Sequence, residues 1–274
     1  MRFGQTRLGL VGVAVGAAVL LAAISPCIAD GLTASLRDDG RLRVLEGPQA
    51  LLTLEMNAHA TDWVNVSQRR ASVEEQETGE AGVRLFSGRL PIPGEQGGEL
   101  GFEEKVRAEG SRVLVKYDMH ALDAMTLWGL QVSANLEVEA YKGATVLVEG
   151  RQVPETAGGV RPGAVGLRPA VTYVDAEPLT LSLPLEADEE KWQLFDGRCD
   201  KITVRTGAGQ GLVISVPEKA RFVIQDNRKW GHDQYEIRLV FVMSAEGQAI
   251  ATGDIYTGDL TLDFGKTVAL LAEE

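Results

Sequence analysis

The chain has 274 residues, 45% of them apolar, and a formal charge of −12. That length suffices for one large core or two smaller ones. The acidic balance speaks against nucleic acid or an anionic lipid surface as partner, because both require a positive field.

The first residues, MRFGQTR, carry Arg2 and Arg7 and no acid. LGLVGVAVGAAVLLAAI follows without a charge, and SPCIAD then places the small Ala29 before Asp30. This is the three-part pattern of a secretory signal peptide, with cleavage predicted after Ala29. The predicted mature chain, 30–274, is a single domain that is secreted or periplasmic and has no further membrane span. A retained anchor and a lipid-modified Cys27 are the alternatives; Pro26 stands where lipidation requires a small residue. Cleavage leaves Cys199 without an internal partner, so the fold has to hold by its core and not by disulfides. Cys199 itself reads as a semi-buried, inert thiol.

Along the mature chain, turns come early. LRDDGR and, later, DGRCD are acidic but lack the spaced ligands of a calcium loop. His59, His120 and His232 stand far apart, without zinc-ligand spacing. Neither a metal nor a cofactor is predicted. Asn65-Val66-Ser67 fits a glycosylation acceptor, or an unmodified surface turn. SVEEQETGEAG (72–82) has no periodicity and is predicted to be mobile.

Period two then dominates. RVLVKYD is a short case. LDAMTLWG is the nearest approach to a helix, and Gly129 breaks it. Leu130, Val132, Ala134, Leu136 and Val138 alternate with Gln131, Ser133, Asn135 and Glu137. That polar row could line a concave sheet surface, but the expectation is an ordinary solvated face. PETAGGVRPGAVGLRP (154–169) reads as a long loop across one sandwich rather than a domain boundary. Leu179, Leu181, Leu183 and Leu185 alternate again, and KITVR, GLVISV and LTLDF are shorter cases. Side chains of successive strand residues point to opposite faces, so these patterns mean antiparallel sheets with one face buried. With turns rich in Gly and Pro and almost no helix, the predicted fold is all-β, a large antiparallel β-sandwich.

The most polar connection is QDNRKWGHDQYE (225–236), set between RFVI and IRLVFV. Arg221, Val223 and Gln225 should share one strand face, with Phe222 and Ile224 on the other. The link from Asp226 to Asp233 is longer than a two-residue hairpin turn requires. Trp230 and Tyr235 offer aromatic faces to the C–H groups of a sugar ring, and Asp226, Asn227, Arg228 and Asp233 offer hydrogen bonds to hydroxyls. These six residues form the predicted ligand site. The alternative is that the stretch only closes a sheet, with Trp230 and Tyr235 buried and Trp230→Ala costing about 3–5 kcal/mol.

No GxSxG elbow is present, and Cys199 has no partner motif, so no catalytic residue is assigned. Asp226, Asp233, Glu236 and His232 are close in sequence. General acid–base work would require them to converge in one pocket.

FSGRLPIP, GELGFEEKVRAEGSRVLVKYDM and RFVIQDNRKWGHDQYEIRLVF together resemble a β-sandwich module of exported bacterial proteins. Such modules stand beside glycoside hydrolase barrels and are similar to the supersandwiches of the galactose-mutarotase-like class. The resemblance spans most of Leu85–Phe241, and QDNRKW is its most specific element. It implies a supersandwich fold, export and a link to polysaccharide use, with a polysaccharide or oligosaccharide as partner. It brings no catalytic residues, and the mature chain has no room for a catalytic barrel. A non-catalytic module is therefore expected, with a carbohydrate-active enzyme (epimerase, lyase or glycosidase) or a structural envelope protein as alternatives.

Overall fold

The computed structural model of the protein describes residues 31–155, 171–207, 209 and 211–272. The predicted signal segment with Cys27, and most of the predicted loop 154–169, lie outside the described residues. Within them the strands run in chain order as β1 (Leu32–Leu36), β2 (Leu42–Glu46), β3 (Gln49–His59), β4 (Asn65–Ser67), β5 (Ser72–Gln76), β6 (Val83–Ile92), β7 (Gly98–Glu109), β8 (Arg112–Ala121) and β9 (Met125–Glu137). They continue as β10 (Thr145–Glu149), β11 (Gln152–Pro154), β12 (Tyr173–Asp175), β13 (Leu179–Ser182), β14 (Gln193–Arg205), β15 (Gly211–Asp226), β16 (Gln234–Ile250), β17 (Ile255–Asp263) and β18 (Val268–Ala272). One helical turn, α1 (Val138–Tyr141), and three short 3-10 turns are the only helix among the described residues. None of these is long and apolar enough to cross a membrane.

Two layers share two strands. The first layer pairs β2, β3, β9, β16, β15 and β14 in that order, all antiparallel. The second pairs β5, β6, β7, β8, β17 and β15. β15 belongs to both: Arg221–Asp226 pair with β16, and Val213–Ser215 pair with β17. β14 follows it across, with its register broken between Cys199 and Lys201. Such breaks let one long strand bend from one layer into the next. The result is the all-β sandwich, one curled sheet folded over itself.

The alternation read from the sequence becomes the core. Leu52, Leu54 and Met56 of β3 lie against Leu136, Ala134 and Val132 of β9, which lie against Tyr235, Ile237 and Leu239 of β16. All nine are buried in one cluster with Phe86, Phe102 and Val115 of the second layer. Cys199 is also buried there, and burial pushes its thiol up to about 12.

One carboxyl group stands in the apolar stripe of β7. Leu100, Phe102, Glu104 and Val106 share the inward face, and Glu104 is fully buried. Its cross-strand neighbour is Tyr117. The Tyr117 hydroxyl lies 2.7 Å from Glu104 Oε1, and Gln68 Nε2 donates to Oε2 at 2.7 Å. Gln68 Oε1 in turn accepts from Met56 N at 2.9 Å and lies 3.3 Å from the Tyr117 hydroxyl. Gly40 closes the pocket. It has φ +80, and a Cβ there would stand 2.8 Å from Glu104 Oε2, so only glycine fits.

Two expectations are corrected. Ser72–Gln76 is a strand paired with β6, not a mobile stretch. Its side chains are mostly exposed, so it leaves no alternating pattern; backbone hydrogen bonds hold it, and Glu74 and Glu75 suit an open edge. The leucine alternation near 180 ends earlier than it reads: β13 stops at Ser182. Leu185 is exposed, and the carbonyls of Pro184 and Leu185 are taken up by a side chain of the 225–236 connection.

Candidate functional site: a buried polar sheet face

The opposite face of the first layer is polar and, contrary to the sequence expectation, not solvated. Register brings Glu55 opposite Ser133, Asn57 opposite Gln131 and His59 opposite Gly129. On the other side of β9, Asn135 faces Glu236 and Ser133 faces Arg238, and Glu236 faces Gln225 of β15. Glu55, Asn57, His59, Gln131, Ser133, Asn135, Gln225, Asn227 and Glu236 are all buried. The reason is register together with side-chain length: four adjacent strands place long polar side chains side by side, where they bond to and cover one another.

Glu236 is the hub. Its Oε2 accepts from Asn227 Nδ2 and Arg238 Nη2, each at 2.8 Å, and from Gln225 Nε2 at 3.1 Å. Gln225 also donates to Asn227 Oδ1. Burial alone would raise this carboxyl. The Arg238 charge and the bonds from Arg238 and Asn227 outweigh it, so the group is held below its ordinary value and stays ionised.

Glu55 has the opposite balance. Its Oε1 accepts from Asn135 Nδ2 at 3.2 Å, while Arg69 and Arg41 stand 3.7 and 4.0 Å from Oε2. Burial outweighs those two distant cations, and the negative Glu236 adds to it, so the Glu55 carboxyl is raised.

His59 stands at the end of β3. Burial, then the Arg238 charge, push its imidazole down to about 4, so it is neutral near pH 7. Gly129 makes room for it: a Cβ there would lie 2.8 Å from His59 Nδ1. The His59 ring meets Trp63 edge-on at 5.4 Å, and Trp63 meets Trp128 at 5.7 Å. Asp62 and Trp63 both carry φ 60, a left-handed conformation that non-glycine residues rarely hold.

This face has hydrogen-bonding capacity that the protein itself does not use. Glu55 Oε2, His59 Nδ1, Ser133 Oγ and Arg238 Nε are buried without a hydrogen-bond partner among the described residues, although Glu55 Oε2 faces Arg69 and Arg41 as ion-pair partners. Buried polar atoms are nearly always paired, and these four exceptions lie on one sheet face.

The six residues predicted from the 225–236 connection divide. Asp226 and Tyr235 are opposite each other on the inward side of β15 and β16, and both are fully buried. Arg228 grips Asp226 through Nη2 at 2.7 Å and holds the carbonyls of Pro184 and Leu185 at 2.9 Å. The Tyr235 hydroxyl donates to the Pro184 carbonyl. These three side chains fasten one loop to another. Asn227 turns to the polar face and binds Glu236. Asp233 is exposed.

Trp230 is 55% exposed and meets Trp192 edge-on at 5.7 Å, with the Lys229 ammonium about 5 Å from both rings. A ring so open does not cap the core. Asp226, Asp233, Glu236 and His232 do not converge: Asp226 is inward, Glu236 is on the polar face, and Asp233 and His232 are in solvent. Sequence reasoning passed over Glu55 and Asn57, and weighed His59 only as a metal ligand. The signal was present in TLEMNAH, where Thr53, Glu55, Asn57 and His59 alternate with Leu54, Met56 and Ala58.

No family model and no curated protein matches the sequence. Solved structures do match the fold. A galactose mutarotase-like protein from Lactobacillus casei ATCC 334 superposes with a TM-score of 0.53 at 9% identity, over 85% of this chain and 99% of that one. A GalM/aldose epimerase homologue from C. elegans gives 0.47 at 11% identity, over 88% and 100%. A glycoside hydrolase family 97 enzyme from Pseudoalteromonas sp. strain K8 gives 0.43 at 10% identity, over 85% of this chain and 34% of that one. At such identities the likeness concerns architecture alone, and the architecture is the galactose mutarotase-like β-sandwich.

Proposed function

We propose that this chain is an exported, non-catalytic β-sandwich that binds a carbohydrate along the polar face of β3, β9, β16 and β15. Export rests on the signal pattern of residues 1–29. The observation that carries the binding reading is that Glu55 Oε2, His59 Nδ1, Ser133 Oγ and Arg238 Nε, all on one sheet face, are buried without a hydrogen-bond partner among the described residues. A hydroxyl-rich ligand both donates and accepts, which suits a row of carboxylate, imidazole, amide and guanidinium groups. Trp63, 39% exposed, supplies an aromatic edge beside His59. Asn227 contributes from the 225–236 connection, where Asp226, Arg228 and Tyr235 set its position and Trp230 and Asp233 face solvent.

Affinity electrophoresis against a polysaccharide panel tests this. Retardation by at least one neutral glycan is expected, weakened roughly tenfold by His59→Ala, a loss of about 1.4 kcal/mol. Retardation unchanged by His59→Ala but lost with Trp230→Ala would move the site to the exposed loop.

A second reading, acid–base catalysis, draws on a different observation. Glu55 is raised and Glu236 lowered on the same face, and carboxyls driven apart in this way suit a proton donor and a proton acceptor. It predicts turnover of an aldose or glycoside that falls at least a hundredfold with Glu55→Gln. An inert protein across the panel leaves binding as the function.

A further inference from the structure

A cleft of about 960 Å³ lies where β14 and β15 cross between the layers, further along the two strands, β15 and β16, that carry Gln225 and Glu236 of the polar face. Its lining includes Arg198, Arg221, Asp196, Tyr173, Lys219 and Phe241. Arg198 and Arg221 are direct cross-strand partners, and Arg221 is in turn opposite Val240 of β16, two residues beyond Arg238. Like charges placed opposite each other on neighbouring strands repel. One of the two is neutralised: Arg221 makes a two-pronged bond to Asp196 at 2.9 and 2.8 Å. Lys219 is likewise paired, with Asp175 at 2.6 Å.

Arg198 is not. Its Nη2 donates to the Lys219 carbonyl at 2.5 Å, and its guanidinium lies 5.2 Å from the Tyr173 ring centre. No carboxylate among the described residues lies within ion-pair distance of it, and its Nε is buried without a hydrogen-bond partner. Arg151, on the same lining, donates to the Glu177 carbonyl and also has no acid partner among the described residues. Arg198 and Arg151 thus stand in one cleft without an ion-pair partner among the described residues, although Glu218 and Asp259 are on the same lining, and Arg198 is the cross-strand partner of a second arginine.

We infer that this cleft receives an anionic group of the saccharide held by the polar face, so that the ligand class is acidic oligosaccharides. A guanidinium fork matches two oxygens of a carboxylate or sulfate, and such bonds are the strong ones. Tyr173, 40% exposed, offers its ring to the sugar bearing that group. This inference rests on the carbohydrate reading above and adds the charge of the ligand.

Isothermal titration with three probes of equal length tests it: a neutral galactose oligomer, a galacturonate oligomer and a sulfated galactose oligomer. At low salt at least one acidic probe is expected to bind tenfold or more tightly than the neutral one. That advantage is expected to shrink in high salt and to vanish in Arg198→Gln, with neutral binding unchanged. Arg198→Lys should keep part of it, and it covers the case in which the glutamine variant unfolds. Preference for galacturonate identifies a carboxylate as the group; preference for the sulfated probe identifies a sulfate ester. Equal binding of all three probes overturns the inference and leaves the carbohydrate reading standing. An acidic preference that survives in folded Arg198→Gln overturns it as well. No binding of any probe removes both.

Discussion

Unfolding free energy is expected to fall by several kcal/mol as pH rises from about 4.5 to about 8, and Glu104→Gln is expected to abolish most of that loss. Burial lifts the Glu104 carboxyl from 4.5 to about 8, against the opposing hydrogen bonds from Tyr117 and Gln68. In the unfolded chain the same group ionises near its ordinary value. Between those two points the folded state holds a proton that the unfolded state has released, so stability falls with rising pH. Below about 4.5 the contribution is fully present, and above about 8 it is gone. At about 1.4 kcal/mol per unit, the window corresponds to a loss on the order of 5 kcal/mol.

Glutamine reproduces the protonated acid. Its amide nitrogen can donate to the Tyr117 oxygen, its carbonyl can accept from Gln68, and the Tyr117 hydroxyl can turn to Gln68 Oε1. Urea denaturation of both proteins at pH 5 and pH 8.5 measures the effect. Near-equal stability at pH 5 and a clear advantage for the variant at pH 8.5 are expected. Parallel decline of the two proteins would mean that Glu104 is not the group that titrates.

Glu236→Ala is expected to cost about 3–5 kcal/mol, because removing one member of a buried charged network leaves the others uncompensated. Arg238 would lose its only carboxylate among the described residues, and Gln225 and Asn227 would lose their common acceptor. The pH dependence has the reverse sign to that of Glu104. The folded value lies below the unfolded one, so this contribution is present above the ordinary carboxylate range and is lost as pH falls through the folded value. The wild-type profile should therefore show an acid limb from Glu236 and a limb toward pH 8 from Glu104. Denaturation at pH 7, with Glu236→Gln as the milder change, checks this. A loss under about 1 kcal/mol in the alanine variant would show that Glu236 is not the hub of the face.

The two residues also explain why part of the site escaped a reading of the sequence. Alternation in QVSANLE was plain and correctly set Gln131, Ser133 and Asn135 on one side of a strand. Their burial was not legible, because it comes from side chains of strands far apart in the chain, such as Glu55, 80 residues from its partner Asn135. Glu104 interrupts the stripe of Leu100, Phe102 and Val106, but its partner Gln68 is 36 residues away on a 3-10 turn with no pattern of its own. QDNRKWGHDQYE was recognised as a link between two strands. Its polar residues read as a single cluster, whereas the strand pleat sends Asp226 and Tyr235 inward and Gln225 and Glu236 to the polar face.

By itself, then, the sequence determined the all-β class, most strand positions and which residues share a face. Each of these follows from side-chain direction, a property of neighbouring residues along one strand. Only the tertiary structure decided which polar face is buried, which charges are left without counter-ions, and where β14 and β15 bend to open a cleft. Those outcomes depend on the register between strands far apart in the chain and on the curl of the whole sheet, and no local pattern encodes either.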